Sequence, residues 1–143
     1  MPGAGTDYVR RHLRVGWWTL FVFAGLGLIL ESLQGFKVAA YLDVANETRR
    51  TMWRLAHAHG TLLGAINVLF ALTLRASPAS GAAVQRVSTT LIAATLLLPA
   101  GFFLGGVIVY SGDPGIGVLL VPIGALLLLL ALFSIARSSG IKN

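Results

Sequence analysis

The sequence has no cysteine and very little charge. The lack of cysteine excludes disulfide bonds, thiolate zinc sites, iron–sulfur clusters and cysteine nucleophiles. Charged residues make up 11% of the 143 residues, whereas an ordinary soluble domain carries about 25% because its surface has to be hydrated. Hydrophobic residues make up 56%, and the mean hydropathy is +0.81. These figures exclude a soluble globular domain and a disordered chain, and they predict an integral membrane protein of one domain.

The charge that is present is mainly basic, with a net charge of +6. Basic residues stand singly or in short groups beside apolar runs, where membrane proteins keep their topology signals. No basic patch is interleaved with aromatic residues, so we expect no nucleic-acid partner. The environment that the composition predicts is the lipid bilayer.

Four apolar stretches are long enough to cross a bilayer, whose hydrocarbon core of about 30 Å needs roughly 20 helical residues. They cover about residues 16–34, 52–74, 88–110 and 116–136. The expected fold is therefore all-α, a bundle of four transmembrane helices in one domain over residues 1–143. We expect the first stretch to be a retained helix, since no small-x-small cleavage site follows it. Asn46 is the expected N-cap of the second helix, and residues 111–115 have the composition of a tight turn.

Lys and Arg lie mainly on one side of the predicted membrane. The N-terminal arm, the second loop and the C-terminal tail carry Arg10, Arg11, Arg14, Arg75, Arg86, Arg137 and Lys142. The opposite side carries Lys37, Arg49, Arg50 and Arg54. Because positive residues favour the cytoplasmic side, we expect both termini in the cytoplasm. The expected location is the bacterial cytoplasmic (inner) membrane, crossed several times.

Few ionisable side chains fall within the predicted spans, and such residues are usually functional. Glu31 lies about one turn inside the outer end of the first span, and His57 lies similarly deep in the second. Glu31 shares a helix face with Gly27, and His57 shares one with Gly60 and Gly64. Small residues at this spacing let helices approach closely in a membrane. We therefore predict a hydrogen bond between Glu31 and His57.

Two further polar residues lie on the second predicted helix. His59 lies about 200° around this helix from His57, so it must serve a different contact. A single metal ion bound by both histidines is disfavoured for the same reason. Asn67 predicts an interhelical hydrogen bond, while Pro99 and Pro122 predict kinks in the last two spans.

The second predicted helix contains the segment Trp53-Arg-Leu-Ala-His57-Ala-His59-Gly60-Thr-Leu-Leu-Gly64. It resembles the second helix of the catalytic subunit of haem-copper oxidases and the His-x-His pattern of small haem-associated membrane proteins related to that family. In that family an Ala-His-Gly or Ala-His-Ala element near the outer end of the helix ligates the low-spin haem. The resemblance covers about two helices. It implies that His57 or His59 is an axial haem-iron ligand and that Gly60 or Gly64 gives the macrocycle room.

The chain also departs from that family. No histidine follows His59, so the copper ligands and the second haem ligand are absent and oxygen reduction is excluded. The only other histidine, His12, is expected on the cytoplasmic side, most of a bilayer away from His57. A second axial ligand would therefore come from another copy or another subunit.

The sequence leaves three functions open. The first is a haem-binding, electron-transfer membrane subunit, and the second is a non-catalytic accessory or structural subunit of a larger, respiratory-type membrane complex. The third is a small proton-coupled transporter, which the Lys/Arg asymmetry and the shallow position of Glu31 disfavour. In the second case His57 simply hydrogen-bonds Glu31 or a carbonyl, and the glycines serve packing. No catalytic set is recognisable, so we expect no enzyme activity from the chain alone, and we expect a homo-oligomer or a larger complex.

Overall fold

The computed structural model describes residues 4–77 and 79–139. Four long helices dominate it, namely α1 (Ala4–Gly35), α3 (Glu47–Ala76), α4 (Ala82–Val107) and α5 (Leu120–Ser139). A single helical turn, α2 (Ala39–Leu42), and a 3₁₀ turn at Val44–Asn46 connect α1 to α3. A β-hairpin of β1 (Val109–Tyr110) and β2 (Asp113–Pro114), then a 3₁₀ turn at Ile116–Leu119, connect α4 to α5. The predicted all-α four-helix bundle is confirmed, and its four long helices are apolar enough to cross a membrane.

The long helices pack in chain order, each antiparallel to the next: α1 against α3, α3 against α4, and α4 against α5. We call the end where α1 and α4 begin the terminal end, and the opposite end the hairpin end. The inner helices α3 and α4 are buried over 39% and 44% of their most apolar windows, whereas α1 and α5 reach 17% and 11%. The outer helices therefore present most of their apolar surface to the membrane.

Helix α1 contacts α3 along a row of residues spaced three or four apart, which is the spacing of a helix–helix seam. The row is formed by His12, Gly16, Leu20, Phe23, Gly27 and Leu30. At Gly16 an added Cβ would lie 2.8 Å from the carbonyl oxygen of Gly64, and at Gly64 it would lie 3.0 Å from that of Gly16. The two backbones thus touch directly, as small residues allow in membranes.

Helices α4 and α5 also approach each other closely at glycines. An added Cβ at Gly124 would lie 2.7 Å from the backbone nitrogen of Leu98, and one at Gly101 would lie 2.9 Å from that of Val121. Because neither position has room for a side chain, the two helices can lie close together along their shared length.

Several boundaries differ from the predicted ones. Helix α1 has 32 residues, or about 48 Å at 1.5 Å per residue, so it extends well beyond the predicted first span. Helix α4 ends at Val107 because the chain turns back through the hairpin, where Ser111 and Gly112 have φ of 49° and 93°. The predicted tight turn is thereby confirmed. Pro122 falls in the first turn of α5, where proline is tolerated without a kink, while Pro99 lies inside α4.

Candidate functional site

His57 lies half-buried in the contact between α1 and α3. Its Nδ1 is 2.7 Å from the carbonyl oxygen of Phe23. A carbonyl can only accept, so Nδ1 donates the proton, and in a neutral ring the lone pair is then on Nε2. The imidazole lies directly against Gly27, where an added Cβ would overlap the ring. This histidine therefore fills the space left by a glycine on the neighbouring helix.

The predicted hydrogen bond between Glu31 and His57 is not present, since His57 bonds the Phe23 carbonyl and Glu31 is exposed. The seam on α1 passes through Gly27 and then Leu30, and the next position along the helix is turned about 100° away. His57 is also opposite Phe23 and Gly27, about one turn deeper than Glu31. The prediction that Glu31 and His57 lie at equal depth in the membrane is therefore wrong by about one helical turn.

His59 points to a different neighbour. Its Nδ1 is 2.9 Å from the carbonyl oxygen of Leu55 on its own helix, and its ring lies 4.8 Å from that of Phe102 on α4. His57 faces α1 instead, so the expectation that the two histidines serve different contacts is confirmed. Within residues 4–77 and 79–139 no group of three or more His, Cys, Asp or Glu side chains is placed to hold a metal ion.

The glycines that the resemblance assigns to a macrocycle are covered by α1. Gly60 lies against the ring of Phe23, which an added Cβ would overlap. Gly64 lies against Leu20, whose backbone nitrogen would be 2.9 Å from an added Cβ. A planar cofactor beside either glycine would have to displace α1, so the structure favours the packing role for both.

A second polar cluster lies toward the terminal end, and we call it the buried polar cluster. It consists of His12, Asn67, Ser88 and Thr95, each of which is at most 2% exposed. His12 Nδ1 is 2.7 Å from Asn67 Oδ1, and His12 Nε2 is 2.8 Å from Ser88 Oγ. Asn67 Nδ2 donates to Thr95 Oγ1 at 2.8 Å. The cluster links α1, α3 and α4, and it confirms the predicted interhelical hydrogen bond of Asn67.

The hydrogen-bond partners assign the protons in this cluster. Asn67 Nδ2 also donates to the Leu63 carbonyl at 2.8 Å, which fixes the orientation of the amide because a carbonyl cannot donate. Asn67 Oδ1 must then accept from His12 Nδ1. In a neutral ring Nε2 accepts from the hydroxyl of Ser88, and the hydroxyl of Thr95 donates to the carbonyl of Leu91. Every polar group of the cluster is thereby satisfied with no net charge.

The order of a hydroxyl, an imidazole and a side-chain oxygen is similar to that of Ser-His-Asp and Cys-His-Asn hydrolases, although the third group is a carboxylate in the former and the first a thiol in the latter. Here Ser88 is 0% exposed, and the ring of Phe70 packs against the imidazole in a T-shaped arrangement, with ring centroids 4.7 Å apart and ring planes at 88°. No substrate atom can reach the hydroxyl in this arrangement. The cluster therefore acts as a hydrogen-bonded clamp on three helices, which is the usual role of such side chains in membranes.

The sequence pattern predicts that His12 lies on the cytoplasmic side, in the N-terminal arm, whereas His12 is a buried residue of the bundle. It enters the seam because α1 is unbroken from Ala4 and because Arg10, Arg11 and Arg14 lie on other faces of this helix. One signal was available: Ser88 and the threonine seven residues later share a face of the third predicted helix.

At the hairpin end, three arginines bind protein groups. Arg49 donates to the Gly106 carbonyl at 3.0 Å and to Asn46 Oδ1 at 2.8 Å. Arg50 donates to the carbonyls of Tyr41 and Asp43, and Arg54 donates to the side chain of Gln34. Asn46 is the N-cap of α3, as predicted, although its side chain accepts from Arg49 and donates to the Ala40 carbonyl and does not bind the α3 backbone. These arginines thus hold the α1–α3 connection and the end of α4.

The comparisons with known proteins give no relative for this bundle. No protein family, no curated protein and no solved structure matches the chain.

Proposed function

We propose that the chain is a non-catalytic structural subunit of a larger membrane assembly, formed with other copies or with other subunits. The observation that carries this proposal is how the polar side chains of the spans are used. The buried polar cluster and His57 form their hydrogen bonds to groups of the same bundle. They fix how the helices pack, as structural side chains do, and the outer helices α1 and α5 remain available for neighbours.

Within this proposal, Glu31 is the residue of α1 that would contact a neighbouring chain. It is exposed on the outward side of α1 and makes no hydrogen bond or ion pair with another described residue. Carboxylates within spanning helices almost always face protein or a water-filled cavity. A donor or a basic group on a neighbouring chain would satisfy Glu31, so this end of α1 is the proposed contact point.

Extraction of native membranes with a mild detergent, followed by native electrophoresis and crosslinking, tests the proposal. We expect the chain to migrate in an assembly well above its 15.1 kDa mass, and we expect Glu31→Gln to weaken that assembly. Glu47→Gln is the matched control, because Glu47 is also exposed but lies in the first turn of α3. A chain that stays monomeric in native membranes, or an equal loss in both variants, would contradict the proposal.

Haem binding through His59 is the second candidate, and a specific observation favours it. Nδ1 of His59 donates to the Leu55 carbonyl, which in a neutral ring leaves the Nε2 lone pair free, and metal-bound histidines commonly donate their other ring N–H to a carbonyl in this way. His57 fits less well because its ring is enclosed against Gly27. A bound haem would supply one-electron chemistry, with its other axial ligand from a second copy or subunit.

Absorption spectra of the purified protein, oxidised and reduced, distinguish this candidate from a purely structural subunit. A Soret band that His59→Ala abolishes and His57→Ala retains is the expected result for haem ligated by His59. Colourless protein purified from haem-replete cells would exclude this candidate and leave the structural proposal intact.

A further inference from the structure

A groove of about 810 Å³ opens at the terminal end, between the ends of α3 and α5 and the first two turns of α4. Its volume falls within the range of about 300–1,000 Å³ typical of small-molecule sites. The groove lies at the ends of spanning helices, so in a bilayer it is close to the headgroup level. Neither His57 nor His59 contributes to it.

The groove has an apolar floor. Phe70, Leu74 and Ala131 form it, and all three belong to the buried core between α3, α4 and α5. Their continuous hydrocarbon surface suits an acyl chain, which would cover it as lipid does elsewhere.

The rim of the groove is polar, and among the described residues that line it Arg86 is the one charged side chain and none is acidic. Arg86 is exposed and makes no hydrogen bond or ion pair with another described residue. Several hydroxyls accompany it. Those of Thr73, Ser134 and Ser138 donate to carbonyls of their own helices and thus present oxygen lone pairs outward. The rim therefore offers one cation and several acceptors.

We propose that this groove binds an anionic phospholipid whose headgroup carries hydroxyls, of the phosphatidylglycerol class. The phosphate would pair with Arg86, the headgroup hydroxyls would donate to the serine and threonine oxygens, and one acyl chain would cover the floor. A guanidinium is well suited to phosphate because it can form two parallel hydrogen bonds. The charge of the rim selects against zwitterionic lipids, which bring a second cation to the same place.

The lipid would also act on the bundle. Phe70 borders the groove on one side and contacts the imidazole of His12 on the other. A lipid that binds only the folded state stabilises it by mass action. Binding in the groove should therefore raise the unfolding temperature by several degrees.

The test uses the full chain in nanodiscs of phosphatidylcholine, with and without phosphatidylglycerol. Tm and the lipid retained after detergent washing, measured by native mass spectrometry, are the two readouts. We expect phosphatidylglycerol to raise Tm and to be retained in wild type, and Arg86→Gln to lose most of both effects. Arg137→Gln is the matched control, since Arg137 is also exposed near the end of α5 but does not line the groove.

A second variant tests the apolar part of the site. Thr90→Phe would fill the groove from α4 while leaving Arg86 in place, and we expect it to lose lipid retention as well. Equal stabilisation by both lipids, or equal effects of the Arg86 and Arg137 variants, would overturn the proposal. Stabilisation by soluble glycerol phosphate as large as that by the lipid would also overturn it, because the acyl chain would then contribute nothing.

Discussion

His12 and His57 are both histidines in the seam between α1 and α3, yet the structure uses them differently. His12 is fully buried, and side chains from two further helices bind both of its ring nitrogens. His57 is half-buried, and its ring forms a hydrogen bond to a backbone carbonyl of the adjacent helix. The histidine in the noticeable sequence motif is therefore the less constrained one, and the isolated histidine near the N-terminus holds three helices together.

The largest loss in the free energy of unfolding is expected for His12→Ala. This change removes two hydrogen bonds and leaves Oδ1 of the buried Asn67 and the hydroxyl of the buried Ser88 without partners, which costs about 1–3 kcal/mol per unsatisfied group. We expect a loss of about 2–4 kcal/mol in the free energy of unfolding, since some packing is lost as well. Unfolding in mixed micelles measures it, with His57→Ala as the comparison. An equal or larger loss for His57→Ala would reverse the contrast between the two histidines.

Gly27→Ala should have the next largest effect. The new methyl group would overlap the imidazole of His57, and overpacking of this kind typically costs about 1–3 kcal/mol. The control is Gly25→Ala, because an added Cβ at Gly25 has no neighbour within 4 Å. We expect that control to be neutral or slightly stabilising, since alanine favours helix. Similar losses in the two variants would mean that α1 and α3 do not meet along this seam.

A smaller effect is expected for Ser88→Ala, which removes only the donor to His12 Nε2. The expected loss is about 1 kcal/mol, at the lower end of the cost of leaving one buried acceptor without a partner. Ser134→Ala is the control because its hydroxyl binds only a carbonyl of its own helix and is exposed. The same micelle assay measures both variants. A loss for Ser134→Ala that matches the Ser88 variant would remove the distinction between buried and exposed hydroxyls.

The smallest effect on global stability is expected at the hairpin end, for Arg50→Gln. Arg50 lies partly exposed and binds two carbonyls of the α1–α3 connection, so we expect a loss below about 1 kcal/mol. Hydrogen exchange should nevertheless become faster at residues 39–46, where the connection loses its anchor. Exchange that quickens equally in the buried polar cluster would show that the two ends are not independent.

Much of the fold can be predicted from the sequence because the length of each apolar run determines whether it can form a membrane-spanning helix. Four runs of sufficient length predict four helices, and the polar residues between them predict the turn at 111–115 and the cap at Asn46. The partner of Glu31 could not be predicted in the same way. A seam can continue from Gly27 by either three or four residues, and only the neighbouring helix selects Leu30 over Glu31.

The part of His12 in the buried polar cluster could not be predicted from the sequence for a related reason. Three nearby arginines made this segment resemble a solvated arm, and the hydrophobic runs give no information on where a helix begins outside the membrane. Whether His12 faces water or protein depends on the direction in which α1 meets α3 and α4. That direction is set by contacts such as the one between Gly16 and Gly64, which are distant in sequence.

The arginines of the hairpin end have an electrical consequence. Arg49, Arg50 and Arg54 direct their guanidinium groups at neutral oxygens of the protein. They keep their full charge, but the dipoles of these oxygens reduce the positive potential that the arginines present outward. At the terminal end, Arg11, Arg14, Arg75 and Arg137 are exposed to the surroundings. The cationic field that an anionic leaflet would experience is therefore more one-sided than the distribution of basic residues along the chain suggests. Lipid attraction and the membrane potential would then hold the molecule in a single orientation.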